Sequence, residues 1–359
     1  MTPMVSATID TAALKHNLFI VRRRAPRSRV MAVIKANAYG HGLVNVARAL
    51  ESADAFAVAR VDEGLALRKA GIRGPVVLLE GVFDQEQLQA AAQAQFELVV
   101  HVAEQIEMLR NAPRHHHFRV WLKLDSGMNR LGFKGAAFRD AHEVLSQLPA
   151  VVKPINLMTH LASADEPKLA TTHEQVRHFE HATQAWFGDR SIENSAGVLA
   201  FPDHHADWVR PGLLLYGVSP FADSIGPDFG LKAAMTLRSH VIATKPLAAG
   251  EQVGYGGTWT AQRSTRLAIA AVGYGDGYPR NVASGTPVLV NGQRAPLVGR
   301  VSMDMVAIDV TGLARRPVLG DPVILWGEGL PVEEIARCAQ TIPYELLCGI
   351  SQRVAVDLR

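Results

Sequence analysis

Val30-Met31-Ala32-Val33-Ile34-Lys35 is an apolar run that closes on a lysine. Consecutive apolar side chains leave no polar face, the pattern of a strand buried on both sides of a sheet. Runs of similar build recur at 55–60, 76–80, 97–101, 118–124, 154–160, 191–195 and 208–216. Amphipathic stretches such as 61–70 and 102–110 separate them. Strand and helix in alternation call for a parallel sheet covered by helices. Eight such units within about 230 residues fit an α/β fold with a closed (β/α)8 TIM barrel, whose usual size is about 250 residues. A doubly wound open sheet is the alternative, although no G-x-G-x-x-G turn follows any of the runs.

Upstream of the barrel, Asp10 precedes Leu14, Leu18 and Val21 at helical spacing. This predicts a helix capped by Asp10, with Arg22-Arg23-Arg24 at its C-terminal end, where cations offset the helix dipole. Beyond residue 230 the texture changes to close-set strands at 236–244, 266–273, 287–290, 296–302, 305–310 and 322–326. Asn291-Gly292 between two of them is a type I′ hairpin signal, and a short helix is expected over 332–339 after Pro331. The expected division is a barrel over 1–230 and a C-terminal mostly-β domain over 231–359.

The 359 residues are 48% hydrophobic and 20% charged, and 37 Lys plus Arg against 34 Asp plus Glu leaves a formal +3. That composition excludes a disordered chain and supplies no massed basic face for nucleic acid. Cys338 and Cys348 cannot build a disulfide framework and match no zinc spacing. The longest apolar run, 267–272, is too short to span a membrane. The apolar stretch 18–21 is followed by arginines, the reverse of a secretory signal's order. A soluble, reduced, cytoplasmic protein is expected, with no membrane or nucleic-acid partner. His115-His116-His117 and His204-His205 lie in polar, loop-like stretches without accompanying ligands, so no metal is expected.

In a barrel of this kind the active site gathers at the C-terminal strand ends. Those ends carry Lys35, Glu80, His101, Lys123 to Asp125, His160, Asn194-Ser195 and Arg210. A desolvated lysine has a lowered pKa, and its neutral amine is a nucleophile toward carbonyls. A lysine that snorkels from the strand end occupies the same place. Position alone leaves both readings open.

The residues around Lys35 carry more. Val33-Ile34-Lys35-Ala36-Asn37-Ala38-Tyr39-Gly40-His41-Gly42 closely resembles the pyridoxal-phosphate lysine motif of alanine racemases. The resemblance continues through Lys123-Leu124-Asp125-Ser126-Gly127-Met128-Asn129-Arg130, Thr159-His160 and Val209-Arg210-Pro211-Gly212. In the second domain it runs through Gly254-Tyr255-Gly256-Gly257, Gly273-Tyr274-Gly275-Asp276-Gly277-Tyr278 and Gly299-Arg300-Val301-Ser302-Met303-Asp304. The motifs span nearly the whole chain in family order.

The resemblance implies a two-base racemase that interconverts L-alanine and D-alanine and supplies D-alanine for peptidoglycan, with pyridoxal 5'-phosphate as cofactor. Lys35 would hold the cofactor covalently and then act as acid and base on one face of the substrate. Tyr255 would serve the other face, donated across the interface of a homodimer. Tyr39, Asn194, Ser195, Gly212, Leu213 and Tyr344 would hold the phosphate, His160 would pack on the ring, and Arg210 would face the pyridine nitrogen. Arginine does not give up its proton, so that nitrogen would stay unprotonated and the ring a weaker electron sink. Arg130 and the backbone near Met303 would bind the substrate carboxylate. Lys123 would support Arg130, and Tyr274, Tyr278, Arg300 and Asp304 would form a narrow entry.

Rivals on related plans are a decarboxylase and a cofactor carrier without turnover. The first would want an acid against the pyridine nitrogen and a catalytic cysteine, where Arg210 and Tyr255 stand. The second would lack the 130 or so residues after the barrel. A metal-dependent barrel hydrolase is the outsider, and Asn194-Ser195 is no nucleophile elbow because Glu193 fills the position of its first glycine.

Overall fold

The computed structural model describes residues 4–359. The chain enters through β1 (Ser6–Ile9) and α1 (Thr11–Arg24). The Asp10 side chain caps α1 by accepting from the Ala13 amide at 2.9 Å. Leu14, Leu18 and Val21 are buried on one face of the helix, as their spacing predicts. The strands that follow are β2 (Arg29–Val33), β3 (Ala55–Val58), β4 (Val76–Leu78), β5 (Glu97–Val100), β6 (Val120–Lys123), β7 (Asn156–Met158), β8 (Arg190–Ser191) and β9 (Trp208–Val209). They pair in chain order and close through Arg29↔Trp208 and Val30↔Val209 into a parallel barrel. Every residue of β3, β4, β6 and β7 is buried, which is why their runs carry no polar alternation.

The strands are shorter than the apolar runs that announce them. After Val209, Pro211 offers no N–H to a ladder, and residues Leu213–Tyr216 form a 3-10 turn instead of extending β9. After Ser191, Asn194 leaves the sheet to cap the helix Ser195–Ala200, accepting from the Gly197 amide at 3.0 Å. The polar strand ends are therefore loop residues at the barrel mouth.

The second unit is an eight-stranded sheet made by β1 with strands from the C-terminal third. In chain order those are β10 (Met235–Leu247), β11 (Gln252–Val253), β12 (Trp259–Thr260), β13 (Thr265–Ala270), β14 (Pro287–Val290), β15 (Gln293–Val298), β16 (Val306–Asp309), β17 (Pro322–Trp326) and β18 (Ala355–Leu358). β11 and β12 pair apart from the sheet, whose order is β13-β16-β15-β14-β17-β10-β1-β18. The β14–β15 hairpin turns at Asn291 and Gly292, with φ of 50° and 76°, as a type I′ turn requires. The helix Val332–Cys338 follows Pro331. β1 pairs antiparallel to β10 (Ile9↔Met235) and parallel to β18 (Ile9↔Leu358). The first strand of the chain thus lies in the second sheet, although it precedes the residue-230 division. Its two buried positions, Ala7 and Ile9, are too short a repeat for periodicity to register.

Candidate active site

The site begins where β2 ends. Val33 donates to the Pro211 carbonyl at 3.0 Å and Ile34 to the Ala57 carbonyl at 2.9 Å, which fixes the backbone just before Lys35. The chain then makes a left-handed turn. Ala36, Asn37, Ala38 and Tyr39 all have φ of 53°, followed by Gly40 at 79° and Gly42 at 91°. Each non-glycine residue in this region costs roughly 1–2 kcal/mol, so the surroundings must hold the turn. The Leu43 amide donates to Asn37 Oδ1 at 2.9 Å, the Gly42 amide to the Asn37 carbonyl at 3.0 Å and the Ala36 amide to Glu63 Oε1 at 2.6 Å. A side chain on Gly40 would collide with the Leu347 carbonyl, so the helix Pro343–Cys348 closes over the turn.

That helix brings Tyr344 to Tyr39, with ring centroids 5.7 Å apart. Tyr216 backs Tyr39 from the other side at 4.8 Å, and its own hydroxyl donates to the Val33 carbonyl at 3.0 Å. Burial and the neighbouring Tyr344 keep the Tyr39 phenol well above its ordinary pKa, and burial pushes Tyr344 up to about 12. Both therefore stay protonated donors at neutral pH. A methyl on Gly212 would come within 2.5 Å of the Tyr39 hydroxyl, so the two form a cradle that only glycine permits. Ser195 Oγ accepts from the amides of Gly212 at 2.9 Å and Leu214 at 3.3 Å, which draws the loop with Leu213 onto the start of the helix Ser195–Ala200.

Arg210 closes the floor. It is 4% exposed and donates to Ser191 Oγ at 2.6 Å, to the Thr159 carbonyl at 2.7 Å and to the Ile192 carbonyl at 3.2 Å. Its Nη2 also lies 3.4 Å from His160 Nδ1. Burial first, then the charges of Arg210 and Lys123, hold His160 well below its ordinary pKa. The imidazole is neutral, with Nδ1 turned to the guanidinium as acceptor. Lys123, 8% exposed, is lowered to about 7 by burial and by Arg210, Arg130 and Lys35. The loop that presents Arg130 is folded by Asp125, whose Oδ1 accepts from the amides of Gly127 at 3.1 Å and Asn129 at 3.0 Å.

Lys35, Tyr39, Lys123, Arg130, His160, Ser195, Arg210, Gly212, Leu213 and Tyr344 thus meet at the barrel mouth. Asn194 is adjacent, with its side chain spent on the helix cap. The C-terminal unit presents a separate group. Tyr255 is 66% exposed in the 3-10 turn Tyr255–Gly257, and no hydrogen bond or ion pair joins its side chain to the barrel residues among those described. Tyr274 and Met303 are also exposed and sit on adjoining turns, with the Tyr274 amide donating to the Ser302 carbonyl at 3.1 Å and the Gly275 amide to the Met303 carbonyl at 2.9 Å. Asp304 pairs with Arg353 at 2.7 Å. Tyr278 is buried against Trp326, not exposed beside Tyr274.

Three positioning residues escape the strand-end reading. Thr159 and Ser191 hold Arg210, and Tyr216 backs Tyr39. Tyr216 belongs to Leu215-Tyr216-Gly217, into which the resembling stretch Val209-Arg210-Pro211-Gly212 leads, although no role attaches to it there. Thr159 falls within the Thr159-His160 motif without a role of its own there, and Ser191 acts through a small hydroxyl that leaves no pattern. No group of three or more potential metal-ligating side chains occurs among the described residues, and no helix there is long and apolar enough to cross a membrane.

The amino-acid sequence matches the family model for the alanine racemase N-terminal domain over residues 9–220 and that for the C-terminal domain over 234–357. It is 50% identical over 364 residues to the alanine racemase of Shewanella amazonensis, covering 100% of both chains. The structure superposes on the biosynthetic alanine racemase of Pseudomonas aeruginosa with a TM-score of 0.96 at 45% identity, again covering 100% of each chain. It superposes on the alanine racemase of Bartonella henselae, solved with covalently bound pyridoxal phosphate, with a TM-score of 0.87 at 29% identity over 99% of each. The chain belongs to the alanine racemase family.

Proposed function

We propose that the chain racemises alanine with pyridoxal 5'-phosphate at the barrel mouth and supplies D-alanine for peptidoglycan. The observation that carries this reading is Lys35 set among a cationic Arg210, a neutral His160 and the Tyr39–Gly212 cradle. Those residues fit the cofactor: an amine for its aldehyde, phenol and serine donors with loop amides for its phosphate, and a neutral imidazole for its ring face. Lys35 would hold it, with Tyr39, Ser195, Gly212, Leu213 and Tyr344 about the phosphate, Asn194 supporting their loop, and Arg210 at the ring nitrogen. When bound, the cofactor supplies an electron sink that makes the substrate's α-proton removable.

The chain's own residues do the rest. Lys35 Nζ and the Tyr255 hydroxyl take and return the α-proton on opposite faces of alanine. Arg130 and the Met303 backbone bind the substrate carboxylate, and Lys123 positions Arg130. Tyr274 and Asp304 narrow the approach, favouring a small side chain. Tyr255, exposed and making no hydrogen bond to its own barrel mouth among the described residues, would reach the site of a second copy, so the reading includes a homodimer. The unpaired Cys338 and Cys348 fit a cytoplasmic setting.

Reconstitution tests the cofactor assignment. The protein mixed with pyridoxal 5'-phosphate is expected to gain absorbance near about 420 nm and, after borohydride reduction, to carry the label on the peptide containing Lys35. Lys35→Ala is expected to do neither. Equal labelling of the variant would remove Lys35 from this role.

A further inference from the structure

Glu193 is a buried carboxyl with nothing to neutralise it nearby except Arg210. Its side chain is 0% exposed and packs under the helix Ser195–Ala200 against Gly197. Oε2 accepts from the Ala206 amide over a long 3.4 Å, and Oε1 has no partner among the described residues. Its backbone oxygen accepts from the Arg210 amide at 2.9 Å, which ties the two residues together. Burial favours the uncharged acid. The carboxyl is pushed up to about 7, against the pull of the backbone amides and Arg210, with Glu180 adding to the rise.

Arg210 is short of a counter-charge. Its hydrogen bonds go to a hydroxyl, two carbonyls and a neutral imidazole. Lys35, Lys123 and Arg130 add positive charge around the same imidazole. Glu193 is the acid whose charge acts on the Arg210 guanidinium.

We propose that Glu193 is a positioning residue whose carboxylate is the counter-charge of Arg210, so that its proton sets the field Arg210 presents to the cofactor's ring nitrogen. The inference rests on the function proposed above. With the carboxylate formed, the charge of the guanidinium is offset across the buried space between them. With the acid formed, Arg210 stands uncompensated among three further cations, and charge development at the substrate is altered. Only a proton moves, between Glu193 and solvent.

The other charged groups facing Glu193 are Glu180 from the helix Thr171–Thr183 and Arg210 itself. Leu161 and Gly197 bring no charge. Farther out, Arg27, Arg190, Asp203, His204, His205 and Asp207 ring a surface cavity that also touches Ile192 and Ala206. Burial lowers His205 from its ordinary range, and the cavity holds other ionisable groups, so a variant is needed to assign any step to Glu193.

The test compares the holoenzyme with Glu193→Gln and Glu193→Asp. The wild-type kcat/KM for L-alanine is expected to rise through a step near pH 7, which the aspartate variant keeps, shifted. The glutamine variant is expected to match the wild type within about twofold at about pH 5.5 and to fall about three- to tenfold short at about pH 8.5. A purely structural role would lower both limbs equally. Independently of turnover, difference infrared spectra of the wild type are expected to lose a protonated-carboxyl band between about pH 6 and 8 that Glu193→Gln lacks. Should glutamine prevent folding, Glu193→Met serves the same comparison. Parallel pH profiles, or the same band in the variant, overturn the proposal. A wild type without racemase activity defeats the functional reading instead, and the infrared titration then still decides whether Glu193 carries the proton.

Discussion

Lys123 is a base whose protonation the fold disfavours. Its pKa in the folded chain is about 7, against roughly 10.4 in an unfolded one. Between those values the unfolded chain binds more protons, so this group makes stability rise with pH across the window. Lys123→Met escapes that cost. It is expected to gain stability over the wild type at pH 6, on the order of 3 kcal/mol at most, with the gap closing toward pH 10. Denaturant unfolding at the two pH values checks it, and a gap independent of pH would remove burial of charge as the cause. Gly212→Ala is expected to keep the fold but bind pyridoxal 5'-phosphate at least about tenfold more weakly, because its methyl enters the space beside the Tyr39 hydroxyl. A fluorescence titration yielding an unchanged Kd would contradict the cradle. At this scale much was legible. Lys35, Lys123, His160 and Arg210 stand out as polar residues ending apolar runs, whereas Thr159 and Ser191 do not, because their contribution is a carbonyl and a hydroxyl placed by the barrel.

The turn after β2 is where local preference and tertiary structure disagree most. Ala-Asn-Ala-Tyr carries no glycine, yet all of its residues are left-handed. The motif around Lys35 marks the segment as important, but its handedness comes from Asn37, Glu63 and the helix over Gly40, which are distant in sequence or act through the backbone. Ala36 is exposed, so its methyl contributes strain and little packing. Ala36→Gly, which in a right-handed helix costs about 1 kcal/mol, is expected here to be neutral or stabilising by up to about 1 kcal/mol. A thermal melt showing the ordinary helical loss would argue against a strained turn. The opposite case is α1, where cap, periodicity and terminal cations agree and helix and structure coincide. Asp10→Ala is expected to cost about 1 kcal/mol by unfolding, since the Ala13 amide loses its acceptor. β1 and the ends of β8 and β9 were the illegible elements: the first is too brief for a repeat, and the others stop at Asn194 and Pro211 for reasons of capping and a missing N–H.

At the scale of the molecule, the proposed reading divides the site between two units of one chain. The barrel mouth carries Lys35 and Arg210, and the C-terminal unit exposes Tyr255, Tyr274 and Met303. β1 ties the units together by entering the sheet between β10 and β18. If the second base comes from a partner, two inactive variants complement each other. Lys35→Ala mixed and refolded with Tyr255→Phe is expected to recover about a quarter of wild-type activity, because half of the dimers are mixed and each of those holds one intact site. No recovery would place both bases on one chain. The most direct measurement of the central claim is incubation of the purified holoenzyme with L-alanine in D2O, following optical rotation and α-deuteration together. Loss of rotation with deuterium entering the α-carbon, slowed more from L-alanine than from D-alanine by Tyr255→Phe, is the predicted result. Carbon dioxide release, or retained rotation without exchange, would contradict it.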